Sequence, residues 1–168
     1  MVEIKINKTD VDFAKNKLQN IKFKDNVKSS KFGYEKNRIL NGYIGERVIM
    51  NFLNIKTDTD NYDYDLISNK GKKIEVKTIN CKFKPLPSYL CTVNSHSLER
   101  VHKQKADYYV FVRILNDYSK AWVLGWIGCK DFFYKGKFVP KNTNFGKFKF
   151  VTSNATVLEI NKLNKFKL

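Results

Sequence analysis

The chain has 168 residues with 42% hydrophobic content, enough for one buried core and too little for a second domain of ordinary size. Its 32 Lys and Arg against 16 Asp and Glu give a formal charge of +16 and a pI near 9.7, so the folded surface repels itself and suits a polyanion, nucleic acid first. No apolar run approaches the ~18 residues that span a bilayer, and Met1-Val2-Glu3-Ile4-Lys5 lacks the apolar stretch of a secretion signal, which argues against a membrane partner and for a cytoplasmic, intracellular protein.

Residues 1–33 mix Lys with polar residues and weakly periodic apolar positions (Phe13, Leu18, Ile21, Phe23), the pattern of an adaptable basic arm or a short helix. From Tyr34 onward Ile39, Leu40, Tyr43, Ile44, Val48, Phe52 and Leu53 recur at three-to-four spacing, which predicts an amphipathic helix ending near Asn54 and carrying Glu46. Thr57 to Tyr62 is polar and turn-rich. Asp65 to Ser68 and Lys73 to Ile79 then read as two short strands joined through Asn69-Lys70-Gly71-Lys72, a hairpin. After Pro85 and Pro87, Ser95 to Lys105 predicts a helix capped by Ser95 or Ser97, with a basic end that suits its dipole.

Tyr108 to Leu115 and Ala121 to Ile127 are nearly continuous apolar, β-prone runs and predict central strands buried on both faces. Beyond Lys130 the chain interleaves Phe with Lys and closes on a late strand at Val157-Leu158-Glu159-Ile160. In this stretch most rings are expected in the core and the lysines outside; a strand at Phe148-Lys149-Phe150 would turn both rings inward. Cys81, Cys91 and Cys129 form no CxxC pair and are read as reduced thiols; His96 and His102 do not complete a zinc site with them.

The chemistry concentrates in the hairpin. Alternation sends Glu75 and Lys77 to one face of the second strand while Ile74, Val76 and Thr78 take the other. A neighbouring strand that starts at Asp65 brings a second carboxylate alongside Glu75, and two adjacent hard oxygen ligands suit Mg²⁺. Lys77 cannot bind a cation, but it can hold the attacking water or stabilise charge on phosphate oxygens. Asp63 competes for the acidic role; Asp65 is preferred because Leu66-Ile67 follows it directly, whereas Asp63 has the position of a turn residue.

Asp65, an interval of ten residues, and Glu75-Val76-Lys77 resemble the signature of the PD-(D/E)XK nuclease superfamily, to which restriction endonucleases and Holliday-junction resolvases belong. Tyr64 stands where the family name has proline. Gly45-Glu46 matches the acidic residue that an upstream helix often contributes there, and Lys105-Ala106-Asp107-Tyr108-Tyr109-Val110-Phe111-Val112 resembles the helix-to-strand passage that follows the active hairpin.

The resemblance implies an α/β fold with a restriction-endonuclease-like core: a central mixed sheet flanked by helices in the order αβββαβ. It implies a catalytic core over residues 34–133 within a single domain, residues 134–168 forming a basic, aromatic-rich C-terminal segment. It further implies Asp65, Glu75 and the Val76 carbonyl on Mg²⁺ (Mn²⁺ substituting), Glu46 at a second metal or a bridging water, and Lys77 beside the nucleophilic water. Lys72, Lys73, Lys103, Lys105, Lys135, Lys137, Lys147 and Lys149 are the expected phosphate contacts.

The expected activity is metal-dependent DNA endonuclease chemistry, either structure-selective like a junction resolvase or restriction-like, with a homodimer where two strands are cut together. The main alternative is a DNA-binding protein of the same fold that does not cut. An assembly protein meeting an acidic partner is the reading outside nucleic-acid biology.

Overall fold

The computed structural model describes residues 1–20, 29–56, 58–61, 63–94, 105–143 and 153–167. Among them the chain runs β1 (Val2–Lys5), α1 (Lys8–Gln19), α2 (Ser29–Leu53), β2 (Asp58–Asn61), β3 (Tyr64–Ile67), β4 (Lys73–Cys81), β5 (Leu90–Asn94), β6 (Tyr108–Leu115), β7 (Lys120–Gly128), α3 (Cys129–Lys135), β8 (Lys137–Val139) and β9 (Ala155–Glu159). The fold is α/β, with a mixed six-stranded sheet in the order β1-β7-β6-β4-β3-β2 and an antiparallel three-stranded sheet β5-β9-β8. In the larger sheet only the β4–β6 pair is parallel.

Period-two alternation on β6 and β7 divides the core between the two faces of the large sheet. Val110, Val112, Ile114, Ala121 and Val123 pack with Leu40, Ile44, Val48 and Ile49 of α2 and Ala14 of α1. Tyr109, Phe111, Trp122 and Leu124 meet Cys91 and Val93 of β5, Leu158 of β9, and Phe132 and Phe133 of α3. The two runs predicted as central strands are therefore buried on both faces, by helices on one side and by the small sheet and α3 on the other.

The predicted hairpin forms as β3 and β4. Its turn closes through Ser68 N–H to the Lys72 carbonyl and Gly71 N–H to the Ser68 carbonyl, both 2.8 Å, with Gly71 at φ +73, a conformation that costs glycine little. Helix α2 stops where expected: Asn54 takes the left-handed conformation (φ 53), and Ile55 N–H caps the Met50 carbonyl at 2.8 Å.

Several expectations are corrected. Of the two readings of the N-terminal stretch, the helix holds over Lys8–Gln19, which is tied to α2 through Asp10, accepting from Asn7 N–H (3.0 Å) and Asn51 Nδ2 (2.9 Å); what was not expected is that Val2–Lys5 is an edge strand antiparallel to β7. The α2 helix starts at Ser29, five residues before the predicted start at Tyr34. The polar stretch after α2 holds a strand, β2, because backbone pairing to β3 outweighs its turn-forming composition. Strand β5 was not anticipated. Phe132 and Phe133 are buried, as expected, but as the inner face of a helix; Tyr134 beside them is 85% exposed.

The predicted helix at residues 95–105 lies outside the described residues except Lys105, and the proposed strand around Phe148 and Phe150, with His96 and His102, lies outside them altogether. All three cysteines are free thiols. Among the described residues no helix is long and apolar enough to cross a membrane.

Candidate active site

The β3–β4 ladder contains only the pairs Leu66–Ile74 and Ile67–Lys73, and then the strands part. At the next step Asp65 Oδ2 accepts the Val76 N–H at 2.7 Å, so a side-chain carboxylate replaces the strand carbonyl that would otherwise satisfy this donor. Strand β3 is held in this path by Thr59, whose hydroxyl donates to the carbonyls of Tyr64 (3.1 Å) and Asp65 (2.9 Å). Because the N–H and C=O of one strand residue leave on the same edge, the Val76 carbonyl points to the side on which Asp65 stands.

Glu75 and Lys77 extend from the face of β4 opposite Ile74 and Val76. Glu75 is 5% exposed; its Oε1 receives Lys77 Nζ at 2.6 Å, while its Oε2 is buried with no hydrogen-bond partner. Beneath them lies Tyr109, the register partner of Glu75 on β6 and fully buried, with Lys77 Nζ 5.9 Å from its ring centre. Burial first, and the nearby Cys129 and Glu75 second, raise the Tyr109 pKa, so this hydroxyl stays protonated. The neighbouring Cys129 thiol is itself pushed up to about 12 by burial.

Glu46 arrives from α2. The helix can approach β4 this closely because residue 45 is glycine: a Cβ there would stand 2.9 Å from both Cβ and Cγ2 of Thr78. Glu46 is 8% exposed, and its Oε2 accepts Lys17 Nζ of α1 at 3.2 Å, with the Lys17 ammonium also over the Tyr43 ring at 4.6 Å. The neighbouring Arg47 turns instead to Asp10, at 3.4 Å.

Asp65 thus sits at a strand edge within the field of both other acids. Burial raises its pKa to about 7, with Glu75 and then Glu46 adding to the rise, while the Val76 N–H and Lys77 oppose it. A carboxyl placed between two others, with one lone buried oxygen on Glu75, is a donor set that gains from a cation. Among the described residues no group of three or more His, Cys, Asp or Glu side chains is placed to hold a metal ion. Mg²⁺ does not need one, since it is commonly held by one or two carboxylates with water and substrate phosphate completing the shell. Asp65, Glu75 and the Val76 carbonyl fit that manner of binding, with Glu46 behind them.

Asp65, Glu75, Val76 and Lys77 are therefore brought together, and Glu46 stands near enough for its charge to raise the Asp65 pKa. Asp63 occupies the turn between β2 and β3, and Val76 N–H is bonded to Asp65. Of the expected phosphate contacts, Lys72 is exposed on the hairpin turn, Lys73 is half-buried with its ammonium 5.2 Å from the Tyr64 ring centre, and Lys105 is exposed before β6. Lys135 and Lys137 are exposed at α3 and β8, and Lys103, Lys147 and Lys149 lie outside the described residues. Sequence reasoning missed Lys17 and Tyr109. Nothing local marks Lys17; Tyr109 could have been found by aligning β6 in parallel beside β4. No family model matches the chain, and no curated protein matches it.

Proposed function

We propose that the chain is a divalent-cation-dependent nuclease of the PD-(D/E)XK type that hydrolyses phosphodiester bonds in DNA. The observation that carries this reading is the parted edge of β3 and β4, where Asp65 holds the Val76 N–H at 2.7 Å and Glu75 presents one lone buried oxygen beside Lys77. The order α2, β2, β3, β4 and the parallel step to β6 support a restriction-endonuclease-like core.

Bound Mg²⁺, or Mn²⁺ in its place, would supply positive charge at the scissile phosphate and lower the pKa of an attacking water. Asp65, Glu75 and the Val76 carbonyl would hold it. Lys77, steadied by Glu75 and the Tyr109 ring, orients the water or meets the charge that develops on the phosphate oxygens. Lys17 neutralises Glu46 and fixes its position behind the site. The formal charge of +16 draws the DNA in. Where both strands are cut, a homodimer presents two such sites to opposing strands.

One observation favours a second reading, a DNA-binding protein that does not cut: Glu75 and Glu46 each already face a lysine ammonium. Cleavage of supercoiled, linear, single-stranded and four-way-junction DNA with Mg²⁺, Mn²⁺ or EDTA, by wild type beside Glu75→Ala, decides between them. Metal-dependent cutting lost in the variant is the expected result, and the panel identifies the substrate. Salt-sensitive binding without cutting under every condition supports the second reading, and no binding at all overturns both.

A further inference from the structure

Directly after β4 the chain forms the loop Lys82-Phe83-Lys84-Pro85-Leu86-Pro87-Ser88-Tyr89, and its exposure is opposite to what its composition favours. Phe83 is 78% exposed and Leu86 53%, although most aromatic side chains described elsewhere are at least partly buried. The loop is also pinned. Asn116 N–H bonds the Cys81 carbonyl at 3.1 Å, Tyr89 N–H closes on the Leu86 carbonyl at 3.0 Å, and Asn161 and Ile160 N–H hold the carbonyls of Pro87 and Tyr89, each at 2.9 Å. Pro85 is buried, and the Arg113 guanidinium lies over the Tyr89 ring at 5.4 Å while donating to the Leu90 carbonyl at 3.1 Å. A fixed loop thus holds a phenyl ring in water, with the exposed Lys82 and Lys84 on either side of it.

We infer that Phe83, with Leu86 beside it, is a wedge that takes the face of a nucleobase while Lys82 and Lys84 hold the flanking phosphates. This rests on the nucleic-acid reading of the preceding section, but not on cleavage. The exposed apolar side chains of this loop, Phe83, Leu86, Pro87 and part of Tyr89, remain too small a patch amid cations for the core of a stable protein interface, where lysine is depleted. An apolar ring between phosphate-binding lysines is instead the arrangement that inserts at a base step or stacks on an unpaired base.

The position also fits the site. From Lys77 the strand runs four residues on to Cys81, about 13 Å, and the loop bearing Phe83 follows directly, so a polynucleotide lying along β4 would meet the wedge roughly four nucleotides or more from the point of attack. Such a wedge would select DNA whose bases separate easily: flexible steps, junctions or single strands.

The test uses duplex and single-stranded oligonucleotides carrying 2-aminopurine, titrated in EDTA with wild type, Phe83→Ala, Phe83→Tyr and the double variant Lys82→Ala/Lys84→Ala. The wild type should raise 2-aminopurine fluorescence in the duplex if a base step is opened, or quench it in the single strand if the ring stacks on a free base. Phe83→Ala should bind about tenfold more weakly and lose the fluorescence change, with the salt dependence kept and Phe83→Tyr retaining both. The double variant should reduce the salt slope by about 2. If the wild type binds DNA and Phe83→Ala matches it in affinity and fluorescence, the wedge is overturned and the nuclease reading stands. If Phe83→Ala abolishes self-association in sedimentation and leaves DNA binding intact, the loop is a protein contact and the wedge is equally overturned. A wild type that binds neither oligonucleotide overturns the nucleic-acid reading itself.

Discussion

Asp65→Asn should make the metal-free protein more stable and inactive. The substituted amide keeps an oxygen to accept the Val76 N–H now held at 2.7 Å, but removes a carboxyl whose pKa burial, Glu75 and Glu46 raise from 3.8 to about 7. A raised folded-state pKa means that the proton is held more tightly in the folded than in the unfolded protein. The stability it contributes is full below 3.8 and lost as pH rises through about 7. Integrated to pH 8 the loss has a ceiling of roughly 4 kcal/mol, and by pH 5 it is roughly 2 kcal/mol. Urea unfolding in EDTA should therefore find Asp65→Asn more stable than wild type at pH 8 by up to that ceiling, with the gap narrowing by about 2 kcal/mol at pH 5. Added Mg²⁺ should stabilise wild type and leave the variant unmoved. A gap independent of pH, or a variant less stable than wild type at pH 8, would refute the electrostatic account of this site.

The remaining expectations concern neighbouring residues. Lys77→Met keeps an unbranched side chain above Tyr109 but removes the ammonium 2.6 Å from Glu75; kcat should fall on the order of a hundredfold or more. Mg²⁺ protection against urea unfolding should survive in this variant, and an unchanged rate would reduce Lys77 to a charge partner of Glu75. Gly45→Ala places a methyl 2.9 Å from Thr78 Cβ, so α2 must lift from β4; about 1–3 kcal/mol of stability should be lost, read by urea midpoint, and wild-type stability would contradict the close approach.

What the sequence disclosed depended on how local the signal was. The hairpin was legible because alternation, a glycine turn and the Asp65 to Glu75 interval all lie within one short stretch, and α2 was legible from its apolar spacing. Strand β2 was not, since Asp58-Thr59-Asp60-Asn61 is a turn former by composition and becomes a strand only through its pairing to β3. Strand β1 shows a brief Val-Ile alternation, but its partner β7 lies more than a hundred residues away. Of the predicted positions, Asp65, Glu75 and Lys77 come together on β3 and β4 with the charge of Glu46 on α2 acting on Asp65, whereas Lys17 reaches Glu46 through the docking of α1 on α2, to which the Asp10–Asn51 bond contributes. That docking is tertiary, and no window along the chain encodes it.

The carboxylate that stands in for a missing strand carbonyl gives the backbone an unusual dependency. In an ordinary ladder, register is fixed by groups whose charge never changes. Here one rung of β4 hangs from Asp65, so a proton or a cation arriving at that side chain alters the tether of the strand that carries Glu75 and Lys77. The Val76 amide proton is therefore a built-in reporter: its exchange rate and chemical shift should follow the ionisation of Asp65, joining the tether of the strand that bears the reactive groups to the charge of its support.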